Sequence, residues 1–315
     1  MIYIRHCLTW LLMAILVSGC ADDKQPLRLG TVVWPGYEPI YLARSQGYLD
    51  SEQLRLVELL STGEVMRGFR NGALDLAALT LDETLLLAQE VDDLQILLVT
   101  NTSFGADAVL TRGASSMQAL KGRRVGVDST ALGAYFLSRA LSKSGMTLAD
   151  IQPVPLSVDM HEKAFLSGRV DAVVTFEPVR SRLLAAGATE VFSSREIPGE
   201  IIDLFVARGE VLSERPEAIK HLIKAWYRGV EFLQKNPAEA QSLMTDRLGL
   251  SKEQVAIALQ GLRIPGRAEV QDMLYGNEAN IGTQAQRVYR IMEEKKLLTE
   301  KIDLDRIVAA QSVWD

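Results

Sequence analysis

Two segments of this 315-residue chain share one pattern, and the pattern restricts the fold more than any local motif does. The first runs Gly72-Ala73-Leu74-Asp75-Leu76-Ala77-Ala78-Leu79-Thr80-Leu81-Asp82-Glu83, and the second runs Gly168-Arg169-Val170-Asp171-Ala172-Val173-Val174-Thr175-Phe176-Glu177-Pro178. Each reads Gly, two residues, Asp, a short apolar run, Thr and a carboxylate. A glycine in this place closes a helix in the left-handed conformation. A short unbroken apolar run predicts a strand covered on both faces by helices. The Thr and the acid then fall at the carboxyl end of a parallel strand, where open α/β sheets take their ligands. Gly168 lies 96 positions after Gly72, so the repeat predicts two lobes built alike. A second echo, ADAVLTR at 106–112 and IDLFVAR at 202–208, predicts a pair of hinge strands, one leaving the first lobe and one returning to it.

The rest of the chain fits an α/β reading. Leu27–Val33 predicts a strand, Trp34–Tyr37 a turn, and Pro39 the first turn of a helix that Gly47 closes. Leu54–Leu60 predicts a second strand, with Ser61 or Thr62 capping the next helix. Lobe 1 is expected over 27–112 and again over 203–315, and lobe 2 over 113–202, with a strand at Arg124–Val127 and a helix at Ala131–Ser144. Beyond 208 the pattern turns helical. Ser213 is expected to cap a helix with Pro216 in its first turn. Ile219, Leu222, Ile223, Trp226, Val230 and Leu233 share one face of it, so Trp226 reads as core. Asn236-Pro237 ends that helix, Ser251 with Gln254 forms a capping box for the next, and Gln284–Leu298 predicts a third.

The first 20 residues, MIYIRHCLTWLLMAILVSGC, place one Arg before an apolar run from Leu8 to Val17. That run suits a signal peptide and is too short to span a bilayer. Val17-Ser18-Gly19-Cys20 resembles a lipobox, which predicts removal of residues 1–19, lipid on Cys20 and a polar tether over 20–26. Cys7 would leave with the signal, and one terminal thiol suits modification better than a disulfide framework. The formal net charge of −6 and the lack of a basic run exclude a nucleic-acid partner.

The chemistry-bearing residues are sparse. Of three histidines, His6 leaves with the signal, His221 lies beside an apolar helix face, and His161 is either a solvent-facing helix residue or one that reaches a cleft. No H-E-x-x-H, C-x-x-C, Walker loop, G-x-S-x-G or G-x-G-x-x-G occurs in the sequence. The composition therefore favours binding over catalysis, with no cofactor and no metal. Helix N-termini bind small anions through unpaired amides, and Ser61-Thr62-Gly63 and Asp128-Ser129-Thr130 each open a helix after a strand. Capping alone explains them equally well.

Gly30–Ala43 (GTVVWPGYEPIYLA), Leu120–Val127 (LKGRRVGV), Gly168–Pro178 and Ser194–Gly199 together resemble the nitrate/taurine/sulfonate-type solute-binding proteins of ABC importers. The resemblance spans essentially the whole mature chain. It implies an α/β, two-lobed type II periplasmic binding protein fold with the ligand cleft between the lobes. By position it implies a cleft lined by Trp34, Tyr37, Ser61, Thr62, Glu64, Thr80, Asp82, Glu83, Asp128, Ser129, Thr130, Thr175 and Glu177. It also implies a small-molecule solute, an ABC permease as partner, a monomer, and an extracytoplasmic site held to the membrane through Cys20. Trp34 and Tyr37 could stack on a planar ligand, cover an aliphatic one, or simply hold their turn. Asp82, Glu83 and Glu177, with no obvious cleft Lys or Arg beside them, prefer a cation. Capping amides prefer a sulfonate or carboxylate, and both together suit a zwitterion. The same fold could instead present solute to a membrane signalling receptor.

Overall fold

In the computed structural model the described residues are 25–128, 130–277 and 280–314. The expected signal peptide, Cys20 and Ser129 lie outside them.

The first lobe opens with β1 (Leu27–Thr31), α1 (Glu38–Ser45), β2 (Leu54–Glu58), α2 (Thr62–Arg70), β3 (Leu76–Thr80), α3 (Leu81–Ala88) and β4 (Leu94–Ser103). The second holds β5 (Asp107–Thr111), β6 (Arg124–Val127), α4 (Ala131–Lys143), β7 (Gln152–Pro155), α5 (Val158–Leu166), β8 (Ala172–Phe176), α6 (Val179–Ala185) and β9 (Thr189–Ser193). The chain then returns through β10 (Ile202–Arg208) to α7 (Gly209–Glu214), α8 (Pro216–Lys235), α9 (Pro237–Leu248), α10 (Lys252–Gln260), β11 (Leu262–Arg263), α11 (Arg267–Tyr275) and α12 (Ile281–Glu294). A six-stranded sheet runs β11-β4-β10-β3-β1-β2 and a five-stranded sheet runs β7-β6-β8-β5-β9.

The repeat is a repeat of structure. β1 lies between β2 and β3, parallel to both, and β6 lies between β7 and β8 in the same way. In each sheet the crossing strand is antiparallel to the third strand of its lobe, β10 on β3 and β5 on β8. The crossing strand thus sits in the lobe it enters. Residues 107–111 pair in the five-stranded sheet, so the expected first-lobe span of 27–112 ends at β4, and lobe 2 begins before 113. Position in the chain suggested the later boundary, and ladder pairing overrides it.

The shared Gly-x-x-Asp has one purpose in both lobes. Gly72 and Gly168 take φ of +71° and +73°, closing α2 and α5 in the left-handed conformation. Three residues on, Asp75 accepts from the Arg28 backbone N–H at 2.7 Å and from its guanidinium at 2.9 and 3.0 Å, while Arg28 Nη2 donates to Gly72 O. Asp171 does the same for Arg124, and Arg124 Nη2 donates to Gly168 O. Each motif fastens the start of a lobe's central strand to the turn before its third strand.

The first lobe's core lies between its sheet and the returning helices. All five residues of β3 are buried, and Trp226 of α8 is fully buried against Phe205 of β10, ring centroids 5.1 Å apart. The capping box of Ser251 and Gln254 opens α10. Ser213 does not cap α8: it lies inside the short α7, where its hydroxyl donates to Glu210 O, and Pro216 starts α8. Among the described residues no helix is long and apolar enough to cross a membrane.

Candidate functional site

The two crossings meet between the lobes. Ser103, at the end of β4, places its hydroxyl 2.8 Å from that of Ser194, just after β9, and Ser194 Oγ also accepts from Gly105 N–H at 2.6 Å. Each crossing strand then carries an aspartate at or next to its first residue, beside the end of its lobe's third strand. Asp203 pairs with Thr80, and 96 positions earlier Asp107 pairs with Phe176. The repeat therefore aims two acids at one interlobe space.

That space is a small inner chamber of about 20 Å³, whose lining includes Trp34, Tyr37, Thr62, Thr80, Glu83, Asp107, Phe176 and Asp203. Tyr37 donates its hydroxyl to Asp203 Oδ1 at 2.6 Å. Thr80 caps α3, and its backbone N–H donates to Glu83 Oε2 at 3.0 Å. The remaining oxygens are left over. Glu83 Oε1, Asp107 Oδ2, Asp203 Oδ2 and both oxygens of the neighbouring Asp82 are buried without a hydrogen-bond partner among the described residues, and so is Trp34 Nε1.

Burial is the main reason these acids bind protons more tightly than exposed carboxyls do. It pushes Asp82 up to about 7. Asp107 also rises to about 7, with Asp82 and Glu177 adding to the effect and Ser103 and Arg180 opposing it. Glu83 and Asp203 are raised well above the carboxylate range, first by burial and then by neighbouring acids. Desolvation and like charges both disfavour the ionised form.

An outer chamber of about 390 Å³ adjoins the inner one and shares Val32, Thr62 and Phe176 with it. Ser61 and Thr62 line it from lobe 1, and Val158, Pro178 and Val179 from lobe 2. At the junction the Trp34 and Phe176 rings meet edge-on, 5.7 Å between centroids, one from each lobe.

Other expected residues are placed elsewhere. Glu64 turns back to accept from Leu60 N–H at 3.1 Å, closing the start of α2. Glu177 is not an unpaired acid. It caps α6, accepting from Ser181 N–H and Oγ, and pairs with Arg180 Nη1 at 2.9 Å. Thr175 turns into lobe 2, where its hydroxyl lies 3.1 Å from His161 Nδ1. His161 is therefore neither solvent-facing nor in the cleft: it is 1 % exposed, and burial pulls it down to about 4. Thr130 donates to Asp128 Oδ2 at 3.2 Å, and Asp128 lines a separate cavity beside α4 that includes Lys295 and Leu297. His221 accepts the Asp50 N–H at 2.8 Å, a structural contact.

Asp107 and Asp203 are the functional candidates that reading the sequence for site residues passed over. Their signal was present, since both open the second echo, but there they read only as hinge markers.

Two lobes of strand order 2-1-3-crossing-4, joined by paired crossings around a cleft, define a type II periplasmic binding protein fold. The chain belongs to the NMT1-like family, which it matches over residues 21–246. It is 28% identical over 172 residues to a Brucella abortus (strain 2308) protein named as a binding protein, covering 50% of this chain and 53% of that one. The chain thus spans about half the length of that relative. It is 25% identical over 320 residues to an Escherichia coli (strain K12) protein named as aliphatic sulfonates-binding, covering 96% and 93%. Among solved structures it resembles the alkanesulfonate-binding protein SsuA from Xanthomonas axonopodis pv. citri, bound to MOPS, with a TM-score of 0.77 at 18% identity over 91% of this chain and 99% of that one. The desulfurization enzyme DSZB shares the fold, with a TM-score of 0.68 at 17% identity over 92% and 98%.

Proposed function

We propose that this protein is the extracytoplasmic solute-binding component of an ABC importer, anchored through a lipid on Cys20, and that it captures a cationic or zwitterionic organic solute for a membrane permease. The family and the fold support the importer role. The acceptor-rich floor carries the ligand preference: Glu83, Asp107 and Asp203 line it with Asp82 beside them, all are buried, and five of their carboxylate oxygens have no partner among the described residues. Burial raises the cost of ionising these acids, and a cation that takes the proton's place and donates charged hydrogen bonds recovers about 1.5–3 kcal/mol per bond. A sulfonate brings only acceptors and cannot take the proton's place. The relatives named for sulfonates therefore share the scaffold while this floor selects the opposite charge. Binding is preferred to catalysis because the imidazole nearest the cleft, His161, is committed to Thr175 inside lobe 2.

A thermal-shift and calorimetric screen of amines, amino-sulfonates, sulfonates and pyrimidines tests this reading. Amine-bearing compounds should stabilise the protein by an amount that grows with the logarithm of their concentration above Kd, and Glu83→Gln with Asp203→Asn should weaken them by tenfold or more. Stabilisation by simple sulfonates alone would refute the ligand class.

A further inference from the structure

We infer that the solute has a compact cationic head and an apolar body, with the head on the acidic floor and the body in the outer chamber. This rests on the cationic reading above and narrows it against a zwitterion.

The sizes of the two chambers set the division. The inner space of about 20 Å³ is just above the roughly 10–15 Å³ that holds a single water. It admits a group the size of an ammonium and nothing much larger. Any further part of the solute must pass the Trp34–Phe176 junction into the 390 Å³ outer chamber. The junction suits a cation, because ring faces attract positive charge.

The walls of the outer chamber decide what that further part can be. Val32, Val33, Leu59, Val158, Val179 and Leu248 supply its apolar surface, and Leu60, also in its lining, is 75% exposed at the rim. Its cations are Arg182 and Arg247, set against Glu58, Asp159, Glu162 and Asp246. Both guanidinium groups are already committed. Arg182 pairs with Glu162 at 2.7 Å and donates to Leu248 O at 3.3 Å, which spans the lobes. Arg247 pairs with Glu38 and with Glu58, the latter at 2.7 Å, and lies over the Tyr41 ring at 3.4 Å. An anionic end group would enter a chamber with four acids and two occupied cations. An apolar body meets the valines and leucines instead, and gains from leaving water.

Calorimetry on the mature chain with methyl-, butyl- and hexylammonium, hexanesulfonate, 6-aminohexanesulfonate and calcium chloride tests the inference. Affinity should rise about fourfold per methylene along the ammonium series, with hexylammonium tighter than 6-aminohexanesulfonate. Val158→Asn, at the half-buried start of α5, should flatten the chain-length dependence, so that hexylammonium loses more affinity than methylammonium. Leu59→Asn should act in the same direction, and the thermal midpoint without ligand reports whether either variant folds. Ammonium ions that bind with no dependence on chain length, or a zwitterion that binds more tightly, would overturn the apolar body and leave the cationic reading standing. Binding of hexanesulfonate or calcium with no ammonium binding would overturn the cationic reading itself.

Discussion

Glu200 lies on the return crossing, 2% exposed, and three side chains from two helices close on it. Tyr135 donates its hydroxyl at 2.9 Å, and Arg139 donates through Nε at 2.6 Å and Nη2 at 2.9 Å, both from α4 of lobe 2. Arg287 of α12 donates through Nη2 at 3.0 Å, and α12 packs on α3 of lobe 1. Glu200 therefore ties a helix of each lobe to the hinge. The two arginine bonds differ in worth. Arg139 is 16% exposed and bidentate, so its removal from a buried acid should cost about 2–3 kcal/mol. Arg287 is 50% exposed, and solvent reduces its bond to about 0.5–1 kcal/mol. If only the closed arrangement brings α12 to Glu200, Arg287→Ala shifts closure by up to about 1 kcal/mol, or roughly fivefold in the open-to-closed ratio. Spin labels at Glu52→Cys and Lys121→Cys, on exposed positions of the two lobes, would show a larger open fraction in the distance distribution. Affinity for any solute trapped by closure should fall by the same factor, with the unfolding midpoint nearly unchanged. An unchanged distance distribution would falsify the coupling of this contact to closure.

Two further outcomes follow from the cleft and from the packing of the first lobe. Asp82 and Asp107, raised to about 7 by burial, bind protons more tightly in the folded chain than in the unfolded one, whose carboxylates titrate near about 3.9. Their stabilising effect is complete below about pH 4 and is lost as pH rises through about 7; Glu83 and Asp203 act in the same direction. His161, pulled down to about 4, acts oppositely: its contribution is present above about pH 6.5 and is lost as pH falls. The acids outnumber it, so the thermal midpoint without ligand should fall between pH 5 and pH 8, a bound amine should reduce that slope by replacing the protons, and a midpoint that rises instead would mean the floor is ionised. Gly229→Ala should destabilise the protein, because a Cβ there would lie 1.8 Å from the Pro39 carbonyl where α8 crosses α1. The overpacking, about 1–3 kcal/mol, exceeds the roughly 1 kcal/mol gained in helix propensity, and a urea midpoint at or above that of the parent would refute it.

The legible parts of the chain were those with local causes. The strand Arg124–Val127 has the bounds its apolar pattern suggests, and the Ser251/Gln254 box opens its helix, because both depend on neighbouring residues. Arg180, three residues beyond Glu177, was equally local, and its pairing could have been read from helix spacing. The floor was not local. Asp107 and Asp203 become site residues only through pairing with Phe176 and Thr80, partners 69 and 123 positions away, and nothing in a single sequence fixes that register. The Asp of each Gly-x-x-Asp was visible as a repeat, but its arginine lies 47 residues back.

What the repeat shares and what it changes explain why the scaffold and the selectivity are separable. Arg28 and Arg124, Asp75 and Asp171, Gly72 and Gly168, and Asp203 and Asp107 are equivalent pairs, and all but the last are fastenings. At the strand ends the equivalence stops: Thr80 corresponds to Phe176, and the Asp82-Glu83 of the first turn of α3 corresponds to Pro178-Val179 at the start of α6. Lobe 1 and its returning strand thus carry Glu83 and Asp203 of the floor and the neighbouring Asp82, while lobe 2 adds Asp107 and an aromatic cover in Phe176. A duplicated frame fixes two lobes in matching geometry. On the proposed reading, charge on one side and apolar surface on the other would let closure dehydrate a cationic head held by the lobe 1 acids. Exchanging a few strand-end residues would change the ligand without touching a single fastening, which is consistent with relatives of this fold carrying such different names.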